Sequence, residues 1–286
     1  MLIYSFLITL PLVPCLLYRF VRFKGANDDT HKKAAMFLFF SVLLVLVALR
    51  AHSVGRDTSN YAVAFKRFSH WSFQRVLTYK EPAFSLLCKG LSYLTDDFQW
   101  LVAISAFISI YPIFVLYKNE VEFPMTTVVL FLMISNFYLL FSGMRQAIAV
   151  SLGVIAYVMT KRKKLIPFIL IVVLAFLFHR SAMILGLMYP LYNMRIRKRS
   201  LFIVVIVMIL IYVFNRQIFH FFQGIIQDYE DIGNKETGAF AMLFLMIIFS
   251  IFAFVVPDES RMDSDTIGLR NFLLMATAVQ MFAPLN

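Results

Sequence analysis

KRKKLIPFILIVVLAFLFHRSAMILGLMYPLYNMRIRKR, residues 161–199, sets the terms for the whole chain. Two basic clusters, Lys161–Lys164 and Arg195–Arg199, bracket the apolar stretch 165–192, which is interrupted by His179-Arg180-Ser181. Clusters of this kind stay on the cytoplasmic side of a membrane, so the chain between them must go out and return. Two full crossings need about 40 residues, and the apolar stretch between the clusters has only 28. The stretch 165–192 is therefore expected to form a short hairpin whose polar turn sits below the outer surface. Charged, non-helical backbone at that depth survives only when it is buried in protein or lines a cavity.

The composition extends this reading outward. Of 286 residues, 61% are hydrophobic and 15% are charged, with a mean hydropathy of +0.79. Soluble domains hold roughly 45–50% apolar and about 25% charged residues, so a soluble globular protein is excluded. Apolar runs fall at 1–18, 34–49, 98–117, 125–141, 143–160, 165–179, 181–192, 200–215, 239–256 and 269–286. The expected fold class is all-α: a polytopic integral membrane protein with about ten transmembrane or re-entrant helices in one membrane domain, 1–286.

Charge gives the orientation. The odd-numbered connections hold sixteen basic residues, and the short even-numbered ones hold Arg145, Arg180, Arg216 and Lys235. Odd connections are thus expected in the cytoplasm, with even connections and both ends outside. The net charge of +11 follows from this asymmetry and needs no nucleic acid partner. No basic region precedes the first apolar run, which predicts a retained span and not a cleaved leader. Cys15 and Cys88 make neither a disulfide framework nor a metal signature.

No internal repeat or low-complexity run is visible. Segment 50–97 is the one sizeable extracytoplasmic loop. It mixes charge with Phe65, Phe68, Trp71 and Phe73, and Glu81-Pro82 opens a helical pattern through Leu94. It reads as one or two interfacial helices. Segment 216–237 is similar but acidic.

On this topology the unusual polar residues share the outer side: Arg56, Asp57, Tyr61, Glu81, Arg145, His179 and Ser181. Cytoplasmic loops are short and basic, without a phosphate-binding loop. Ser142-Gly143-Met144-Arg145-Gln146 opens a helix with Ser142 as N-cap, and Arg145 in its first turn suits a pyrophosphate. The same arginine also fits a snorkelling or ion-paired interface residue. His179 suits acid–base work or binding of a phosphate or sugar, and equally a histidine satisfied within a tight hairpin. Ser181 is expected to cap the following helix. Asp57 and Tyr61, four apart, share a helical face. Asp57 is a candidate general base for an acceptor hydroxyl, or one half of a solvated pair with Arg56. Glu81 is a second candidate base or a sugar ligand, or simply a helix start before Pro82.

Taken in order, Arg56-Asp57 with Tyr61, Glu81-Pro82, Ser142-Gly143-Met144-Arg145-Gln146 with Ala149, and Phe178-His179-Arg180-Ser181-Ala182 resemble the EpsG family, best from about 36 to 195. The family comprises bacterial membrane proteins of exopolysaccharide and capsule assembly and is grouped with Wzy-type polymerases. The resemblance implies a metal-independent glycosyltransferase without a cofactor, in the bacterial cytoplasmic membrane. It joins undecaprenyl-pyrophosphate-linked oligosaccharide repeat units at the outer face, and its implied partners are a flippase and chain-length regulators. Carried onto this chain, the resemblance makes Asp57, Arg145 and His179 catalytic, with Arg145 holding the pyrophosphate. Arg56, Tyr61, Glu81, Gln146, Arg180 and Ser181 would contact substrate. Family members usually continue beyond Asn286, where this chain stops inside an apolar run, so the expectation is either a short protein or a truncated one whose missing C-terminal piece could hold part of the site.

Two other classes compete. A flippase for the same lipid-linked sugar should carry charge along its whole path, yet the runs 200–215 and 239–256 hold no ionisable group but Tyr212. Inverted repeats, the usual transporter sign, are not visible. A non-catalytic assembly subunit would tolerate loss of Arg145.

Overall fold

A computed structural model describes residues 28–120, 123–133, 136–196, 201–218, 238–258 and 262–281. The expected span 1–18, the acidic segment to 237 and the last residues of 269–286 lie outside these. Among the described residues all regular structure is helical. In order the helices are α1 (Asp28–Ala48), α2 (Thr58–His70), α3 (Phe73–Leu77), α4 (Pro82–Ser92), α5 (Phe98–Glu120), α6 (Pro124–Met133), α7 (Asn136–Ser142), α8 (Met144–Lys161), α9 (Leu165–Phe178), α10 (Met188–Asn193), α11 (Leu201–Val213), α12 (Gly238–Val255) and α13 (Ser264–Gln280). Two are long and apolar enough to cross a membrane, over Asp29–Ala48 and Phe98–Asn119, while the apolar α9, α11 and α12 are shorter.

The described residues form two compact units, one from 28–158 with 166–185, the other from 159–165 with 186 onward. In the first, α1 packs along α5. Met36, Phe39, Phe40, Leu43 and Val47 recur every three to four residues and so make one buried stripe. Phe40 meets Phe114, Tyr117 and Phe131 at ring-centre distances of 5.8–5.9 Å, a geometry that adds about 0.5–1.5 kcal/mol per pair beyond area burial.

A second core explains segment 50–97. Tyr61, Phe65 and Phe68 of α2, with Phe84, Cys88 and Leu91 of α4, close on Phe98, Leu101 and Val102 of α5 and on Met144 of α8. Three helices stand where one or two were expected. Their apolar face is seated on protein, because both i, i+4, i+7 stripes find a partner there. A third core joins Ile148, Ala149 and Leu152 of α8 to Ala175 and Ala182.

Elsewhere the elements break at other places than the sequence suggested. The run 125–141 divides into α6 and α7. Ser142 is the last residue of α7 and does not cap α8; the single residue between the helices is Gly143, whose carbonyl accepts the first bond of α8 from the Ala147 N–H at 2.7 Å. The run 181–192 is not one α-helix. A 3-10 helix, Arg180–Leu187, precedes α10, so Ser181 lies inside an element that starts one residue earlier. Eight residues are long for 3-10 geometry, which often marks a functional segment. Helix α9 has 14 residues, a rise of about 21 Å against the roughly 30 Å of a bilayer core.

In the second unit α13 is capped by Asp263, which accepts from the Thr266 N–H at 2.7 Å. Tyr192 lies over Gly268 closely enough that any side chain at 268 would meet its ring. Its hydroxyl donates to Asp265 at 2.7 Å, and Lys161 pairs with the same carboxylate at 2.8 Å. Arg270 donates to the Ile196 carbonyl at 2.6 Å, and Asn271 to those of Leu191 and Met194 at 2.8 Å.

Candidate functional site

Glu81 occupies the N-cap position of α4, with Pro82 in the first turn. Proline has no N–H to offer a cap and fixes the entry angle of the helix. The Glu81 carboxylate makes no cap bond and turns elsewhere. One oxygen, Oε2, is ion-paired with Nη1 of Arg145. The other, Oε1, accepts from Nδ1 of His179 at 2.9 Å and from the Arg180 backbone N–H at 3.4 Å. Arg180 also donates from Nε to the Lys80 carbonyl at 3.0 Å. Residues 80–81, 145 and 179–180 therefore meet at one point, three segments far apart in sequence.

Glu81 is only 4% exposed, whereas the side chains of Arg145 and His179 remain about a quarter exposed. The carboxylate is a buried hub, and the Arg145 and His179 side chains are its outward arms. An ionised carboxylate only accepts, so Nδ1 of His179 must carry the proton, which leaves Nε2 to exchange one with a ligand. Burial pushes the Glu81 carboxyl up, but the His179 bond and the Arg145 charge outweigh it and hold the group below its ordinary value. Such a carboxylate is a poor general base and a good anchor. Its geometry favours the positioning of Arg145 and His179 over the base or sugar-ligand roles expected of it.

Arg145 sits over the Tyr61 ring, 5.6 Å from its centre, a cation–π contact. Tyr61 is buried against Phe84, and burial raises its hydroxyl pKa while Arg145 opposes the rise. Asp57 is the N-cap residue of α2, half-buried, and makes no side-chain cap bond. The Asp57 charge adds to the rise of the Tyr61 hydroxyl pKa.

The family model for the EpsG family matches residues 33–286, nearly the whole chain. The chain belongs to the EpsG family. No curated protein and no solved structure matches it. EpsG proteins are associated with Wzy-like polysaccharide polymerase and glycosyltransferase activity, and the apolar helices fit a membrane protein.

Among the residues singled out in this EpsG chain, Glu81, Arg145, His179 and the Arg180 backbone converge, with Tyr61 beneath Arg145. Others do not join them. Arg56 and Gln146 are exposed, and no ion pair links Arg56 to Asp57. Ser181 is half-buried within the 3-10 helix. Among the described residues, no three histidine, cysteine, aspartate or glutamate side chains stand together as metal ligands would. Sequence reasoning passed over Arg50, which is buried at the end of α1. The signal was there: an arginine ends the apolar run 34–49 directly, where a merely solvated charge has no reason to be.

Backbone packing holds Arg145 at its station. Gly55, at φ +98°, lies against the Phe141 carbonyl so closely that a Cβ would collide with it; this position needs glycine. The Thr58 hydroxyl donates to the Val54 carbonyl at 2.7 Å and reaches that of Phe141 at 3.4 Å. Arg50 donates to the Leu140 carbonyl at 2.8 Å. The turn before α2 thus grips the end of α7, two residues short of the helix that carries Arg145.

Proposed function

We propose that this chain is a polysaccharide polymerase that joins undecaprenyl-pyrophosphate-linked oligosaccharide repeat units, for exopolysaccharide or capsule, at the outer face of a bacterial cytoplasmic membrane. The single observation that carries the reading is the Glu81–Arg145–His179 cluster in a chain of the EpsG family. The fold is taken as a single polytopic membrane domain with about ten crossing or re-entrant helices. Helix α9, shorter than a bilayer core, supports a polar turn at 179–181 within the membrane's depth.

The growing chain on its lipid pyrophosphate is the donor, and one lipid-linked unit is the acceptor. The acceptor hydroxyl gives its proton to Asp57 as its oxygen bonds to the anomeric carbon of the donor. The bond from that carbon to the pyrophosphate breaks, and its electron pair leaves with the phosphate oxygen. Arg145 neutralises the growing charge, and Nε2 of His179 donates a hydrogen bond or proton to the departing group. Donors fixed in advance act strongly where charge develops, typically about a hundredfold or more each. Arg180 and Ser181 border this site. Tyr61 supports Arg145, and Arg56 and Gln146 stand at the exposed margin for sugar contacts. A flippase and a chain-length regulator are the expected partners.

The test uses membranes with wild type or Arg145→Ala at matched expression, supplied with undecaprenyl-pyrophosphate-linked repeat units. A ladder on a gel with the wild type that falls about a hundredfold or more in the variant is expected. An undiminished ladder from the variant removes the mechanism. Orientation is checked separately with an impermeant thiol reagent in intact cells. Lys66→Cys should label and Lys163→Cys should not, and the reverse places the site on the wrong face.

A further inference from the structure

Arg50 is 6% exposed, and its guanidinium is engaged at one corner. Nη1 donates to the Leu140 carbonyl at 2.8 Å and reaches that of Val47 at 3.5 Å. Nε and Nη2 are closed off from solvent and meet no acceptor. These two nitrogens are the side-on edge of the guanidinium, the fork that grips a carboxylate or phosphate through two parallel hydrogen bonds. A buried cation with this edge unfilled has lost its water and gained nothing in exchange.

Arg145 repeats the pattern: Nη1 meets Glu81, while its Nε is buried without an acceptor. Tyr61 is the neighbour that the two arginines share. Its ring lies beneath Arg145, and its hydroxyl is close enough to act on the charge of both. Leu140, which Arg50 holds, is five residues before Arg145. Two guanidinium groups with unused donors are thus both within electrostatic reach of one tyrosine. Charge balance points the same way. Glu81 already offsets one positive charge, whereas a diphosphate ester brings about two negative charges.

We propose that Arg50 is a second anion-binding residue of this site, its side-on fork taking one phosphate of a diphosphate headgroup whose other phosphate Arg145 holds. The identity of the diphosphate rests on the polymerase reading. Because Arg50 is already desolvated, an anion that reaches it meets a charge little damped by water.

The test measures binding of undecaprenyl pyrophosphate and of undecaprenyl monophosphate to the detergent-solubilised full chain, wild type against Arg50→Lys. Lysine keeps the charge and a donor for the Leu140 carbonyl but has no fork. Diphosphate binding should weaken roughly tenfold, with monophosphate binding changed less than about twofold and the melting temperature unchanged. Arg50→Gln, whose amide can also donate to Leu140, should show the same selective loss and serves if the lysine variant folds poorly. Inorganic pyrophosphate separates headgroup from tail: it should compete with the lipid in wild type and lose that ability in the variants. Equal losses for both lipids, or no loss, overturn the proposal and leave Arg50 as an anchor between helix ends. A wild type that binds neither lipid overturns the polymerase reading and this proposal together, whereas a binding wild type with unchanged variants overturns the fork alone.

Discussion

Both units hand buried polar groups to backbone carbonyls, and the first adds a pairing of ionisable side chains with each other. In the second, Asn271 and Arg270 hand their donors to the backbone carbonyls of Leu191, Met194 and Ile196, and the outer surfaces of α11 and α12 are apolar, with Phe202, Ile203, Phe244 and Phe252 exposed. In the first, Glu81 pairs with both Arg145 and His179, and two of the three Arg50 guanidinium nitrogens meet no acceptor. Polar groups that close backbone gaps hold a fold. Ionisable side chains that pair with each other do so at the cost of desolvation. The contrast separates architecture from chemistry within a single chain.

The sharpest way to break that contrast is to remove the hub. Glu81→Ala leaves Arg145 and His179 facing each other without their anion, and removing one partner of a buried pair costs about 3–5 kcal/mol. A thermal melt in detergent should fall accordingly, and a melt like wild type would mean that the cluster is not a buried unit. The apolar exterior of the second unit is tested by Ile248→Arg, midway along α12 and exposed. If that surface faces lipid, membrane insertion should lose about 3 kcal/mol; insertion at the wild-type level would put the face in water. Asn271→Ala should cost about 1–3 kcal/mol from the freed carbonyls and leave the polymer ladder in place at permissive temperature. Loss of the ladder without loss of stability would erase the distinction between the units.

The smallest effect is in pH. The folded Glu81 carboxyl is held below its ordinary value, so its contribution is complete above the unfolded-state pKa and disappears as pH falls through the folded one. Wild type should therefore lose stability on acidification more steeply than Glu81→Gln. Parallel curves would show that Glu81 binds its proton equally well in both states.

Much of the site could be read from the chain because its signals are violations. Arg145 and His179 were conspicuous as charge in apolar surroundings, and Glu81 as an acid before a helix-starting proline. Their meeting point was not readable, since no local rule brings residue 81 to residue 179; the packing of α2 and α4 against α5 and α8 does that. Ser142 was mistaken for a cap because serine favours that position, but Gly143 supplies the break through its backbone alone. The run 181–192 looked like a helix by hydrophobicity, which cannot distinguish 3-10 from α geometry. The amphipathic stripe of segment 50–97 was legible in the sequence, but the residues of α5 and α8 that it packs on were not.

The hub has one more consequence, for how the molecule is made. Glu81 is synthesised 64 residues before Arg145 and 98 before His179. Until Arg145 is made that carboxylate has neither of its two side-chain partners, so the segment that carries it cannot take up its final pairing. A ribosome must deliver the third segment before the first can close. The cluster is thus a late, long-range contact of the fold, formed only after residue 179 is made.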